Sequence, residues 1–241
     1  MNSNASLPAA IVLAIGLVLG GWFVGHGFTE ARLGDRYVTV KGLSERTVKS
    51  DLALWPIRFV VSGNELNAAQ SQLKSQAGTV MKFLEEQGIS QKDVELQSLQ
   101  VTDKSAQSYD AGNYKTRFII AQTIMVRSTD VDRIAAASQQ LSRLVEAGVI
   151  LNSEYGPTGP SYLFTKLNDV KPAMIAEATK SARAGAEQFA KDSGSAVGGI
   201  RTASQGLFQI LPRDDAPGIQ QEKEMFKTLR VVTTVDYLLS G

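Results

Sequence analysis

The sequence predicts a mixed α+β fold with largely antiparallel sheets and packed helices, preceded by one transmembrane helix. Three observations predict it. An uncharged apolar run occupies residues 7–28, and the chain behind it alternates short runs of period-two polarity with longer runs of helical periodicity. Of the 241 residues, 43% are hydrophobic and 20% are charged, which is typical of globular proteins and not of disordered ones.

The composition excludes several kinds of chemistry. The chain has no cysteine, and its one histidine, His26, lies in the apolar run. The rest of the chain therefore cannot build a Cys-His or Ser-His-Asp catalytic group, or a zinc site from histidine or cysteine. A formal net charge of +1 argues against nucleic-acid binding through bulk charge. We expect a protein that is not an enzyme, with no cofactor, no metal and no nucleic-acid partner.

Residues 7–28 are interpreted as a membrane helix between an N-terminal tail, residues 1–6, and a linker, residues 29–35. A helix of 22 residues is about 33 Å long, which suffices for a hydrocarbon core of about 30 Å. A cleaved signal peptide is the alternative. Residues 1–6 carry no Lys or Arg, however, and no clean Ala-x-Ala site follows the run. The lipid bilayer is thus a predicted partner.

Two pairs of glycines with helical spacing lie inside this run, Gly16 with Gly20 and Gly21 with Gly25. Small residues four positions apart let membrane helices approach closely, so these glycines are predicted to mediate self-association. The alternative is that glycine is simply common in membrane helices. His26 is interpreted as an interfacial residue and not as a proton relay.

Residues 36–241 are predicted to form one α+β domain, and its first elements follow from polarity patterns. Residues 36–41 and 47–62 alternate as strands do, and residues 42–46 are predicted as the turn between them. Pro56 predicts an edge position or a bulge in the second strand, because proline has no amide to donate. Apolar residues at helical spacing predict a helix over residues 64–88, where Gly88 suits the C-terminus.

A hairpin and a capped helix follow. Residues 94–101 and 118–126 are predicted to be antiparallel strands, with a hairpin tip at residues 110–113. Asp130 is predicted to cap the next helix, and Gly148 to end it.

The last third of the chain is predicted to hold the remaining strands and an alanine-rich helix over residues 168–191. The predicted strands are 149–155, 162–164, 200–210 and 228–239. The predicted apolar face of the helix is Ile175, Ala178, Ala182, Ala186 and Phe189. Helices on mostly antiparallel strands define the α+β class.

Two further groups of residues are candidate sites. Tyr109, Tyr114 and Arg117 flank the hairpin tip and are predicted to form a subunit contact, although they also fit ordinary cross-strand pairs. Asp214 and Asp215 are the best remaining carboxylate pair for a hydrolase. Adjacent residues rarely face each other across a cleft, so the pair is interpreted as solvated loop charge.

The order of several local motifs resembles the SIMPL-domain (YggE-like) family. They are Val38-Thr39-Val40-Lys41-Gly42-Leu43-Ser44-Glu45, the step from Gly88 through Ile89-Ser90-Gln91-Lys92-Asp93-Val94, and Gly199-Ile200-Arg201-Thr202 after the alanine-rich helix. The resemblance covers about residues 36–240. It implies an extracytoplasmic domain, ring-like or channel-like homo-oligomers in some members, and a loose association with stress defence. No catalytic residues are established for the family, so the resemblance assigns none to this chain. An uncleaved anchor departs from the family's usual signal sequence.

The combined prediction is a non-enzymatic, single-pass protein of the bacterial inner membrane with its C-terminal domain in the periplasm. It is predicted to self-assemble into a ring- or channel-like homo-oligomer. The charge count taken alone points to a cytoplasmic domain, because Arg32, Arg36 and Lys41 follow the run and no basic residue precedes it. The alternative function is a monomeric tethered module that binds a ligand or a partner protein.

Overall fold

A computed structural model describes most of the chain as two compact units. The described residues are 6–33, 36–106, 115–152, 159–214 and 216–240, without the side chains of residues 6–10 and 28–33. Unit 1 comprises residues 1–45, 171–209 and 230–241, and unit 2 comprises residues 46–170 and 210–229.

The elements confirm the mixed α+β class with antiparallel sheets and packed helices. The helices are α1 (Ser6–Leu33), α2 (Leu66–Glu86), α3 (Val131–Ser138), α4 (Ser142–Glu146) and α5 (Leu167–Asp192). The strands are β1 (Tyr37–Lys49), β2 (Leu52–Gly63), β3 (Val94–Asp103), β4 (Phe118–Ser128), β5 (Ser161–Leu163), β6 (Ala196–Gln205), β7 (Gln209–Pro212) and β8 (Phe226–Ser240).

The helix predicted over residues 7–28 is present as α1. Within the residues given above, no helix is both long and apolar enough to cross a membrane. The transmembrane part of the prediction is therefore not supported.

Unit 2 is built on a sheet with the strand order β3-β4-β2-β5 and antiparallel pairing. Alternate residues of β2 point to one face, where α2 and α3 cover them, and the largest of these are Trp55, Ile57 and Phe59. Each is at most 2% exposed. Full burial of such a side chain stabilises the fold by about 1.5–3 kcal/mol, so this face holds the main core of the unit.

Pro56 lies in an interior strand, and not at the sheet edge or bulge that the sequence suggested. β2 pairs with β4 from Ala53 to Gly63 without a register shift. On its other side, β2 pairs with β5 only at residues 52–54, and the Val60 amide donates to the Ile150 carbonyl further along. Pro56 lies between these two paired stretches, where a missing amide removes no described ladder bond.

Unit 1 contains the strand order β1-β8-β6, and β7 also pairs with β8. Helix α5 packs on it through Ala182 and Ala186, which form a buried cluster with Val40, Val235 and Tyr237.

The turn predicted at residues 42–46 is wrong, because β1 continues unbroken to Lys49. Gly42 serves close packing there. A Cβ at this position would lie 1.8 Å from the carbonyl oxygen of Ala178 and 2.5 Å from the amide nitrogen of Ala182. The backbone of α5 therefore lies directly against the backbone of β1, and only glycine fits between them.

The predicted apolar face of α5 is partly wrong. The buried residues recur at every fourth position and are Met174, Ala178, Ala182, Ala186 and Ala190. Phe189 is 60% exposed and Ile175 is only half-buried. Alanines line the buried stripe because the close approach of the helix to β1 leaves no room for a larger side chain.

Three further boundaries differ from the prediction. The helix after Asp130 is split into α3 and α4, although Asp130 does cap it by accepting a hydrogen bond from the Arg133 amide at 3.1 Å. The strand at 149–155 is reduced to one bridge between Phe59 and Leu151, and residues 153–158 lie outside the description. The strand at 200–210 is replaced by β6 and β7.

Candidate interaction surfaces

Helix α1 carries the most extensive set of exposed apolar side chains in the described residues. Their exposed fractions run from 51% at Leu19 to 74% at Val24. Trp22 stacks on His26 with ring centroids 5.2 Å apart, toward the end of the apolar run. The surface has no Asp, Glu, Lys or Arg between residues 11 and 27, so apart from the ring nitrogens of Trp22 and His26 it offers a partner mainly apolar contact.

The two predicted glycine pairs lie on this helix. A Cβ added at Gly16, Gly20, Gly21 or Gly25 would meet nothing within 4 Å. Successive residues of an α-helix are rotated by about 100° around its axis, so the direction in which the first glycine pair faces differs from that of the second by about 140°. The structure therefore places the pairs in two separate shallow grooves, and not in one continuous stripe.

Arg117, predicted as a subunit contact, makes close contacts within its own chain. Its Nε donates to Asp103 Oδ1 at 3.1 Å, and its Nη2 donates to Asp103 Oδ2 at 2.9 Å. Hydrogen bonds from Arg117 and then from Ser105 hold the pKa of Asp103 well below its usual 3.8. Arg117 also lies over the Phe118 ring, 4.7 Å from its centroid. The guanidinium thus fastens the base of the hairpin.

The other two residues of that predicted contact, Tyr109 and Tyr114, lie outside the described residues, as does the hairpin tip at 110–113. The predicted subunit contact of the three residues therefore stays a prediction.

Of the predicted carboxylate pair, only Asp214 belongs to the residues that the structure describes. Asp214 pairs with Arg213 at 2.7 Å, and Asp215 lies outside the described residues. No cluster of three or more metal-ligating side chains is found in the part of the chain that the structure describes.

Two lysines of unit 2 are partly or fully buried and bind carbonyl oxygens. Lys227 is 0% exposed, and its Nζ donates to the Gln221 carbonyl. The Nζ of Lys223 donates to the carbonyls of Gly159 and Pro160, each at 3.2 Å. Burial lowers the pKa of both amines from 10.5. The Lys223 contacts tie the segment before β8 to the segment before β5, and the Lys227 contact holds β8 to the segment that precedes it, so both lysines have a structural role.

An apolar groove that the sequence did not single out lies between α2 and β3. Its volume is about 460 Å³. The apolar residues that line it are Leu66, Leu73 and Ala77 of α2 and Leu96, Leu99 and Val101 of β3. The sequence pattern marked the β3 residues only as members of a strand. Their sequence signal is an uncharged run from Leu96 to Thr102.

The β3 side chains of this groove remain open to solvent. Leu96, Leu99 and Val101 are 61%, 57% and 50% exposed. They face the helix side of the sheet, because Val101 is paired with Ile120, whose side chain is buried on that side. Helix α2 covers β2 and β4 and leaves this last strand uncovered.

A second cavity, of about 520 Å³, lies on the opposite face of the same sheet. Charged side chains line it together with Leu54 and Met125. These charged residues are Lys92, Asp93, Glu95 and Arg127. Its volume is in the range of small-molecule sites, about 300–1,000 Å³.

These features define an α+β protein of two compact units. The chain belongs to the SIMPL family, described as a protein of unknown function (DUF541), which it matches over residues 38–235. The match confirms the resemblance found in the sequence, and α1 lies outside it. No curated protein matches the chain.

Proposed function

We propose that the chain is a non-enzymatic, membrane-anchored protein that assembles into a homo-oligomer, with its α+β units in the periplasm. The observation that carries this proposal is the surface of α1, a helix of 28 residues and about 42 Å. Its side chains from Ile11 to Val24 are apolar and largely exposed. An apolar surface of this extent requires cover, which a bilayer and neighbouring helices supply.

The separation of the two glycine pairs supports a ring. A helix with one groove joins a single neighbour, whereas grooves about 140° apart allow each helix to contact two. When the two contacting surfaces differ, copies add head to tail, and the array becomes a ring where the rotation between neighbours closes. The link to stress defence that the resemblance implies stays a prediction.

Anchoring also explains how weak contacts between α+β units suffice. Copies held on one membrane meet at an effective concentration that short linkers raise to about the millimolar range. Contacts that fail between free domains in dilute solution then hold between tethered ones.

The test is the absolute mass of the detergent-extracted full chain, corrected for bound detergent, beside residues 29–241. We expect a discrete multiple of the 25.9 kDa chain for the full protein and a smaller species for the truncation. Monomers in both cases would overturn the proposal. Equal assembly of both at high dilution would also contradict it, because α1 would then contribute nothing.

Leucine substitutions in the glycine pairs test the role of each groove. Gly16→Leu with Gly20→Leu fills one groove, and Val24→Leu is the matched control, since Val24 is already 74% exposed. We expect the double variant to lose the high-mass species and the control to keep it. Retention of the full mass in both would show that this groove is not a helix contact.

The second cavity favours an alternative function, a tethered monomeric module that binds a small charged ligand. Lys92 and Arg127 lie beside Asp93 and Glu95, so the cavity offers charges of both signs to a zwitterion. A ligand that raises the melting temperature of a monomeric chain, and that no longer does so in Arg127→Ala, would favour this function over assembly.

A further inference from the structure

We propose that β3 pairs antiparallel with β3 of a second copy, centred on Gln100, so that two unit-2 sheets join edge to edge. The inference rests on the proposed assembly and names a surface through which the α+β units meet in pairs, a two-fold contact distinct from the head-to-tail contacts proposed for α1.

The first support is the unprotected edge. Among the described strands, β3 pairs only with β4, so its other side presents backbone amides and carbonyls to a further strand. Natural edge strands are usually blunted by lysine, by proline or by other charges. From Leu96 to Thr102, β3 has none of these.

The second support is the groove beside that edge. Leu96, Leu99 and Val101 are each at least half exposed on the side that α2 leaves open. A strand added at this edge continues the sheet over the groove and places its own alternate side chains against these residues. The backbone and the apolar surface therefore require the same kind of occupant, an extended strand.

The third support is the self-complementarity of β3, which identifies the occupant as a second copy. A two-fold axis at Gln100 sets Leu99 opposite Val101 of the partner subunit on the groove side. On the other face, Gln100 meets Gln100 of the partner subunit. Because residues 96–102 are uncharged, this register sets no two like charges of β3 opposite each other. Within each copy, Arg58 Nη2 donates to Gln100 Oε1 at 3.0 Å. An axis at Val101 would instead set Leu99 opposite Asp103 of the partner subunit.

The expected contact is weak in isolation. One strand and a narrow groove bury less than the roughly 1,200 Å² of a standard stable interface. The pairing is therefore expected in the full chain, where α1 raises the local concentration, and is expected to be lost from residues 29–241 at high dilution.

Because the chain has no cysteine, a single introduced cysteine reports the pairing directly. In the Gln100→Cys chain, the two copies of residue 100 face each other with Cα atoms about 4.5–5.5 Å apart, which a disulfide spans. The Glu95→Cys chain is the matched control on the same strand. Its two copies lie about ten residues apart along the pair, or about 33 Å, which no disulfide reaches.

Mild oxidation of each full-length variant in detergent then gives distinct outcomes. The proposal expects a disulfide-linked dimer at high yield from Gln100→Cys and at least tenfold less from Glu95→Cys. Equal cross-linking of both would mean random collision and would overturn it. If the full chain is oligomeric by mass and neither variant cross-links, β3 has another occupant; this inference then fails while the proposed function stands. A monomeric full chain refutes both.

A charge at the groove supplies an independent readout. Leu99→Lys adds a lysine at the edge, and Val145→Lys adds one at another exposed apolar position, which is 58% exposed. Introduced into the Gln100→Cys chain, only Leu99→Lys is expected to reduce the yield of the disulfide-linked dimer, with unchanged circular dichroism in both. Equal dimer yields with both substitutions would contradict the pairing.

Discussion

Gly42 offers a sharp test of the packing of α5 on β1. In the Gly42→Ala chain, the new Cβ would lie 1.8 Å from the carbonyl oxygen of Ala178. A return to an ordinary contact of about 3.5 Å requires the helix to move by about 1.7 Å. The two groups that the new Cβ would overlap, the Ala178 carbonyl and the Ala182 amide, belong to the backbone of α5. No change of side-chain rotamer can therefore relieve the overlap. Overpacking typically costs about 1–3 kcal/mol, and we expect a loss of about 3 kcal/mol or more here.

The assay is thermal unfolding of the full chain in detergent, followed by far-ultraviolet circular dichroism and by hydrogen exchange of the α5 amides. A loss of 3 kcal/mol lowers the melting temperature of a protein of this size by about 6–12 °C. Gly185→Ala is the control of opposite sign, because its Cβ meets only a Val40 methyl at 3.9 Å. Alanine for glycine in a helix stabilises by about 0.5–1 kcal/mol. If Gly42→Ala melts like the wild type, the close approach of the backbones is refuted.

Three further predictions concern charged groups. Burial raises the pKa of Asp51, but hydrogen bonds from the Thr165 hydroxyl and amide outweigh it and lower the pKa below 3.8. Ionised Asp51 therefore stabilises the folded chain above about pH 4, and this contribution disappears as the pH falls through its lowered pKa. The urea midpoints of unfolding at pH 7 and at pH 3 should differ less in Asp51→Asn than in the wild type. Asp103→Asn should accelerate amide exchange at the hairpin base, where Arg117 loses its partner; unchanged exchange would contradict the role of that pair. Burial lowers the pKa of Lys227 from 10.5, so the wild type should gain stability as the pH rises from that lowered pKa to 10.5. Lys227→Met should lack this slope and unfold at a higher urea concentration at pH 7, because it buries no charge. An equal slope in both chains would show that folding does not lower the pKa of Lys227.

The elements that could be predicted from the sequence are those that local chemistry defines. Helix α2 was predicted over residues 64–88 and is observed at Leu66–Glu86. Its periodicity fixes the buried face, and Gly88, with φ of 74°, ends it. The β3–β4 hairpin and the Asp130 cap were predicted for the same reason, since each depends on residues close in sequence.

The errors arose where distant segments decide the structure. A glycine followed by polar residues resembles a turn, and only the approach of α5 shows that Gly42 belongs to a strand. Phe189 fits the period of an apolar helix face, but the buried stripe runs through every fourth residue from Met174 to Ala190 and leaves Phe189 exposed. The groove was missed because strand order determines which apolar strand is left uncovered, and the sequence of β3 does not contain that order.

The position of β8 within its sheet has a consequence for the order in which the chain can fold. β8 is the last strand in sequence, yet it lies between β1 and β6. The sheet of unit 2 needs nothing beyond Leu163, so its strands are all available while the ribosome is still adding residues. The sheet of unit 1 cannot form until the fifteen residues of β8 have been synthesised, because β1 and β6 have no shared partner before then. A nascent chain that stalls before β8 would therefore expose the alanine stripe of α5 and two unpaired strands, which is a state prone to association with other chains.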